Sequence, residues 1–153
     1  MRLVVASLVV MVLAGQSGAG GGVHVWRSTD IGARGAALAK KIDAQKVASE
    51  TIATEGNRTF MVAYREGSGV AEWHEKQADV MFISAGQVTM VYGGTIVDAK
   101  TTAPGEMRGA SIRGGTDARL GPGDVLHIPA RVPHQMILAP GAKVTYFVTK
   151  VVE

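Results

Sequence analysis

The sequence predicts an all-β barrel or sandwich with one short helix in front of it. Three observations carry that reading. Glycine occupies 20 of the 153 positions, well above the usual share of about 7%, and an excess without a Gly-X-Y period marks tight turns rather than collagen. Turn signals recur at short spacing, from Gly67-Ser68-Gly69 through Gly93-Gly94, Pro104-Gly105, Gly114-Gly115 and Gly121-Pro122-Gly123 to Pro140-Gly141. The segments between them are strand-length and rich in valine, isoleucine and aromatic residues. With 46% hydrophobic and 19% charged residues the chain can build a core.

Taken in order, the chain opens on Arg2 and the apolar run 3–14, which has the length of a signal-peptide core and is too short to span a bilayer. Small residues follow, so residues 1–19 are expected to be an export signal, leaving a soluble periplasmic or secreted protein. Residues 20–57 read as linker, helix and first strand, and 58–153 as the barrel. The helix is expected over 28–44: Ser28, Thr29 and Asp30 offer capping oxygens, and Ile31, Leu38 and Ile42 make a narrow apolar stripe. Strands are expected at 58–65, 70–74, 79–84, 87–92, 125–128, 134–138 and 143–152. The stretch 98–119 shows little periodicity and reads as a functional flap or mobile loop. Met61, Met81, Met90 and Met136 alternate with polar residues and read as core lining. Tyr64, Tyr92 and Tyr146 read as packing, and Arg108 and Arg113 as solvated loop residues.

Composition excludes several functions. A formal charge of +3, with no basic run longer than Lys40-Lys41, argues against nucleic acid. The chain has no cysteine, which removes disulfides, thiolate metal sites and cysteine nucleophiles. No phosphate-binding glycine loop and no Gly-x-Ser-x-Gly elbow is present.

Two places carry chemistry. Glu72 and His74 are two apart on an expected strand, so both side chains share a face, and Asp79 opens the next strand. A carboxylate beside an imidazole suits a divalent metal. The second place is the run from Pro122 to His134, in which Pro129 and Pro133 brace a turn that delivers His134. His127 precedes that turn, and its face depends on strand register.

Together these segments resemble the cupin family. Gly69-Val70-Ala71-Glu72-Trp73-His74, Asp79 and Gly86 are similar to the first cupin motif, and Gly121-Pro122-Gly123-Asp124 through Pro133-His134 to the second. The resemblance implies a jelly-roll barrel, a double-stranded β-helix, holding one divalent metal (Fe, Mn, Zn or Ni). Its implied ligands are Glu72, His74, Asp79 and His134. The pattern departs twice from the family's: Glu72 replaces the first histidine, and Asp79 a glutamate. His74, Asp79 and His134 then form a two-histidine, one-carboxylate set, with Glu72 either a further ligand or a catalytic general base. The implied function is metal-assisted chemistry on a small organic molecule in the barrel, by an oxygenase, isomerase or lyase. The alternative is a non-catalytic periplasmic module for sensing or binding a small ligand around a structural metal. The resemblance also implies a homodimer, 145–152 being an apolar edge that is a hazard if left exposed, and the mature form is expected to have no membrane partner.

Overall fold

A computed structural model describes residues 22–153. The expected export signal lies outside the described residues. The chain forms helix α1 (Ser28–Leu38) and then thirteen strands. These are β1 (Val47–Glu55), β2 (Arg58–Arg65), β3 (Ala71–His74), β4 (Gln77–Gly86), β5 (Val88–Tyr92), β6 (Thr95–Val97) and β7 (Lys100–Ala103). They continue with β8 (Glu106–Gly109), β9 (Ser111–Arg113), β10 (Thr116–Leu120), β11 (Val125–Ile128), β12 (His134–Ile137) and β13 (Val144–Val152).

Two antiparallel sheets make the barrel walls. One has the order β1-β2-β13-β4-β11 and the other β10-β5-β12-β3-β8-β7; β6 and β9 form a separate ribbon. Strand alternation sorts side chains between two cores. On β2, Met61, Ala63 and Arg65 point into the barrel, while Val62 and Tyr64 point out against the helix. On β13, Tyr146, Val148 and Lys150 face inward, and Phe147 joins the helix layer. The barrel core gathers Met81, Ile83, Met90, Met136 and Val148, all buried, with Met61 packed against it.

The helix is shorter than its sequence pattern suggested. It ends at Leu38, and its N-cap is Arg27, whose backbone N–H donates to Asp30 Oδ2 at 3.2 Å. Asp30 thus serves from inside the first turn rather than as the cap itself. Ile31, Gly35 and Leu38 are buried, and Ile42 packs against them from beyond the helix end. A Cβ at Gly35 would lie 2.5 Å from Thr145 Cγ2. The glycine therefore sets how closely the helix approaches β13.

Three expectations change. The stretch 98–119 is ordered as β7 to β10, because its segments complete ladders rather than bury an apolar face: all four residues of β7 are exposed. Segment 145–152 is no free edge, since β13 lies between β2 and β4. Tyr92 is exposed rather than packed.

Candidate metal centre

Strand register assembles the site. Glu72 of β3 is the direct partner of His134 on β12 and of Arg108 on β8, and His74 is the partner of Glu106 on β8. Directly opposed residues share a face and lie within side-chain reach. One sheet thus brings Glu72, His74, His134, Glu106 and Arg108 into adjoining rows. The facing sheet supplies a second pair, Asp79 of β4 opposite Lys150 of β13.

Hydrogen bonds orient both imidazoles. His74 Nδ1–H donates to Glu106, 2.7 Å from Oε2 and 2.9 Å from Oε1. His134 Nδ1–H donates to the Val132 carbonyl at 3.0 Å. Each Nε2 is then the bare nitrogen, and both are buried without a hydrogen-bond partner. The turn before His134 is held by Arg131, whose N–H donates to the His74 carbonyl at 2.7 Å. The two ring centroids are 5.3 Å apart.

Glu72, His74 and His134 offer ligand atoms that all lie within 4.8 Å of one another. Glu72 Oε2 is 3.6 Å from His74 Nε2. Asp79 stands at the margin of this cluster. Its Oδ2 is 3.8 Å from Nε2 of each histidine, while Lys150 Nζ donates to its two oxygens at 2.9 and 3.1 Å and Gln77 to Oδ1 at 3.2 Å. His127 is exposed on β11, away from the cavity.

The charges are set by these neighbours. Burial would raise the Glu72 carboxyl, but the adjacent His74 ring and the charges of Arg108, His134 and Lys150 outweigh it and hold the group at about 2. Glu72 is therefore an anion at neutral pH. Burial would lower His74, and Lys150 adds to that; the nearby Glu72 carboxylate, Glu106, which accepts from Nδ1–H, and the Asp79 charge overcome both and raise the ring above its ordinary value. Burial lowers His134, against the pull of the Val132 carbonyl and the two carboxylates.

A cavity of about 240 Å³ opens beside the cluster, lined by Glu72, Asp79, His134, Arg65, Tyr146 and Lys150 among others. No protein-family model matches the chain, and no curated protein does. Among solved structures it is similar to a cupin 2 conserved barrel domain protein from Rhodopseudomonas palustris, with a TM-score of 0.50 and 14% identity over 70% of this chain and 61% of that one. The chain has the cupin fold. Two further cupin-like neighbours are the polyketide cyclase RemF from Streptomyces resistomycificus and the DMSP lyase DddQ from Ruegeria pomeroyi. RemF gives a TM-score of 0.51 and 15% identity over 71% of this chain and 67% of its own. DddQ gives 0.50 and 18% over 71% of this chain, which spans only 48% of the lyase.

Of the four residues singled out in the two motifs, Glu72, His74 and His134 lie together and Asp79 stands beside them. Sequence reasoning missed Glu106, Lys150 and Arg65. Arg65 and Lys150 carried a usable signal, since each continues an inward alternation on its strand. Arg108 is not a solvated loop residue: it pairs with Glu106 at 2.9 Å and Glu72 at 3.7 Å. Arg113 is exposed on β9.

Proposed function

We propose that this cupin-fold protein binds one divalent metal ion through Glu72, His74 and His134 and uses it in chemistry on a small organic molecule. The observation that carries the reading is the pair of buried, unpartnered Nε2 atoms converging with the half-buried Glu72 carboxylate. Unsatisfied buried polar atoms are costly, so their convergence calls for a common partner. Two imidazoles and a carboxylate suit Fe, Mn, Zn or Ni.

A bound ion would polarise a substrate oxygen as a Lewis acid. Glu106 and the Val132 carbonyl keep the two rings turned toward the site. Met61, Met81, Met136 and Val148 line the cavity with apolar surface that limits water. Burial raises the Tyr146 hydroxyl, with Arg65 opposing, so Tyr146 keeps its proton and serves as a donor. Three convergent ligands beside a cavity favour catalysis over a purely structural ion, since structural sites are closed by a fourth protein ligand. The polyketide cyclase and the DMSP lyase show that this fold supports small-molecule chemistry, and an oxygenase, isomerase or lyase reaction fits the site equally.

The test is metal analysis of untagged protein, wild type beside His74→Ala, His134→Ala and Glu72→Gln, with melts to check folding. All three variants are expected to lose tight binding. Full metal content in both histidine variants would sink the site. A Glu72→Gln variant that keeps its metal but loses turnover would make Glu72 the general base and not a ligand. We also infer export directed by residues 1–19, supported by the apolar run 3–14; an exported protein retaining Met1 in its intact mass would refute it.

A further inference from the structure

The cavity wall holds a cation, Arg65, that neighbours the Tyr146 hydroxyl but, among the described residues, no carboxylate. Arg65 closes β2, the third inward residue after Met61 and Ala63. Its Nε is buried with no hydrogen-bond partner. The neighbouring cations are committed: Lys150 pairs with Asp79, and Arg108 with Glu72 and Glu106. Among the described residues no carboxylate lies within ion-pair distance of Arg65. Arg65 as a whole is half-buried, and a cation held partly out of water without a counter-charge, with its Nε–H unsatisfied, favours any ligand that supplies one.

The backbone makes room for that guanidinium. Gly69 approaches so closely that a Cβ there would stand 3.1 Å from Arg65 Nη1 and 3.4 Å from Cζ. Gly69 is itself fixed, its N–H donating to the Met136 carbonyl at 2.8 Å and its carbonyl accepting from Gln135 Nε2 at 2.8 Å. The guanidinium thus sits against a rigid strip of chain inside the cavity.

Charge counting gives the sign of the missing ligand. Along the cavity, Arg65 and Lys150 balance Asp79 and Glu72. A divalent ion at Glu72, His74 and His134 would leave the lining positive. We propose that Arg65 is the anion-binding residue of the barrel and that the ligand is a small organic acid. Its carboxylate pairs with the guanidinium fork while a second oxygen faces Glu72, His74 and His134. Planar bidentate pairing is what a guanidinium offers a carboxylate and a lysine does not. The cavity, about 240 Å³, is below the roughly 300–1,000 Å³ of drug-sized pockets, which limits the acid to a few carbons. The second contact and the surplus positive charge rest on the metal reading above; the unpartnered Nε of Arg65, with no carboxylate beside it, does not.

The experiment follows the Arg65 Nε–H resonance by NMR in metal-free and zinc-loaded protein, assigned by its loss in Arg65→Gln. Succinate and pyruvate are titrated at constant ionic strength, with uncharged succinamide as control. Either acid is expected to shift the resonance saturably, more tightly with zinc, while succinamide leaves it in place. Acid binding to Arg65→Gln, followed on other cavity resonances, should be at least tenfold weaker at unchanged zinc content. Gly69→Ala, which displaces the guanidinium without touching the cluster, should weaken it several-fold. A resonance unmoved by both acids in zinc-loaded protein, or an Arg65→Gln variant that binds as wild type does, overturns the anion site and leaves the metal reading standing. A protein that takes no zinc but still shows the acid-dependent shift supports the anion site and sinks the metal reading.

Discussion

His74 and Glu106 face each other across β3 and β8, and the imidazole Nδ1 lies 2.7 Å from Glu106 Oε2. The carboxylate fixes the tautomer and makes the opposite nitrogen a better donor. Removing such a partner typically costs 10–100-fold in metal affinity. Glu106→Gln is expected near the lower end, because an amide oxygen can still accept from Nδ1–H, and Glu106→Ala near the upper. Competition against a chromophoric chelator measures both. Affinity unchanged in Glu106→Ala would show that the ring is oriented by its strand alone.

The two histidines pull metal-free stability in opposite directions with pH. The folded His74 value is raised, so its stabilising contribution is complete below about pH 6.5, the unfolded value, and is lost as pH rises through the folded one. The folded His134 value is lowered, so its contribution is complete above about pH 6.5 and is lost as pH falls through the folded one. Metal-free protein should therefore melt highest near pH 6.5 and lower on both sides. His134→Gln should flatten the acid side between about pH 6.5 and 5, before most carboxylates titrate. A monotonic wild-type profile across that range would contradict the opposed shifts.

What could be read from the sequence follows from which signals are local. Glu72 and His74 were legible because a two-residue spacing fixes a common face. His134 was legible because two prolines bracket its turn. Glu106 was not: β7 and β8 are strands by pairing, and their burial pattern does not alternate. The contact of Glu72 with both His134 and Arg108 is a matter of register between segments distant in sequence, which no local pattern encodes. Lys150 and Arg65 continue the inward alternation of their strands, but a charge at the end of an apolar run normally marks solvent, which masks that signal.

Lys150 holds Asp79 away from the two imidazoles. Asp79 is almost fully buried, and Lys150 keeps about a quarter of its side chain exposed (24%). Breaking a buried pair costs about 3–5 kcal/mol, and the partial exposure of Lys150 points to the low end or below. Lys150→Met should destabilise metal-free protein by up to about 3 kcal/mol on that basis. It also frees a carboxylate 3.8 Å from each Nε2, so the melting gain on adding zinc should exceed that of wild type. Equal gains in the two proteins would mean that Asp79 cannot join the site.

Gly35 separates helix propensity from packing. In an isolated helix, alanine is favoured over glycine by about 1 kcal/mol. Here a Cβ would meet Thr145 Cγ2 at 2.5 Å and Oγ1 at 2.6 Å. Thr145 is a buried β-branched residue on a central strand, so it has little room to turn aside. Overpacking of this kind costs about 1–3 kcal/mol, which matches or exceeds the propensity gain. Gly35→Ala is expected to lower the melting temperature. Thr145→Ala removes both clashing atoms and leaves only the β-carbon, 3.2 Å away. The double variant should then recover stability relative to the sum of the single changes, a coupling that a double-mutant cycle reads directly. If the effects simply add, the helix has shifted to absorb the methyl group, and Gly35 does not set its distance from β13.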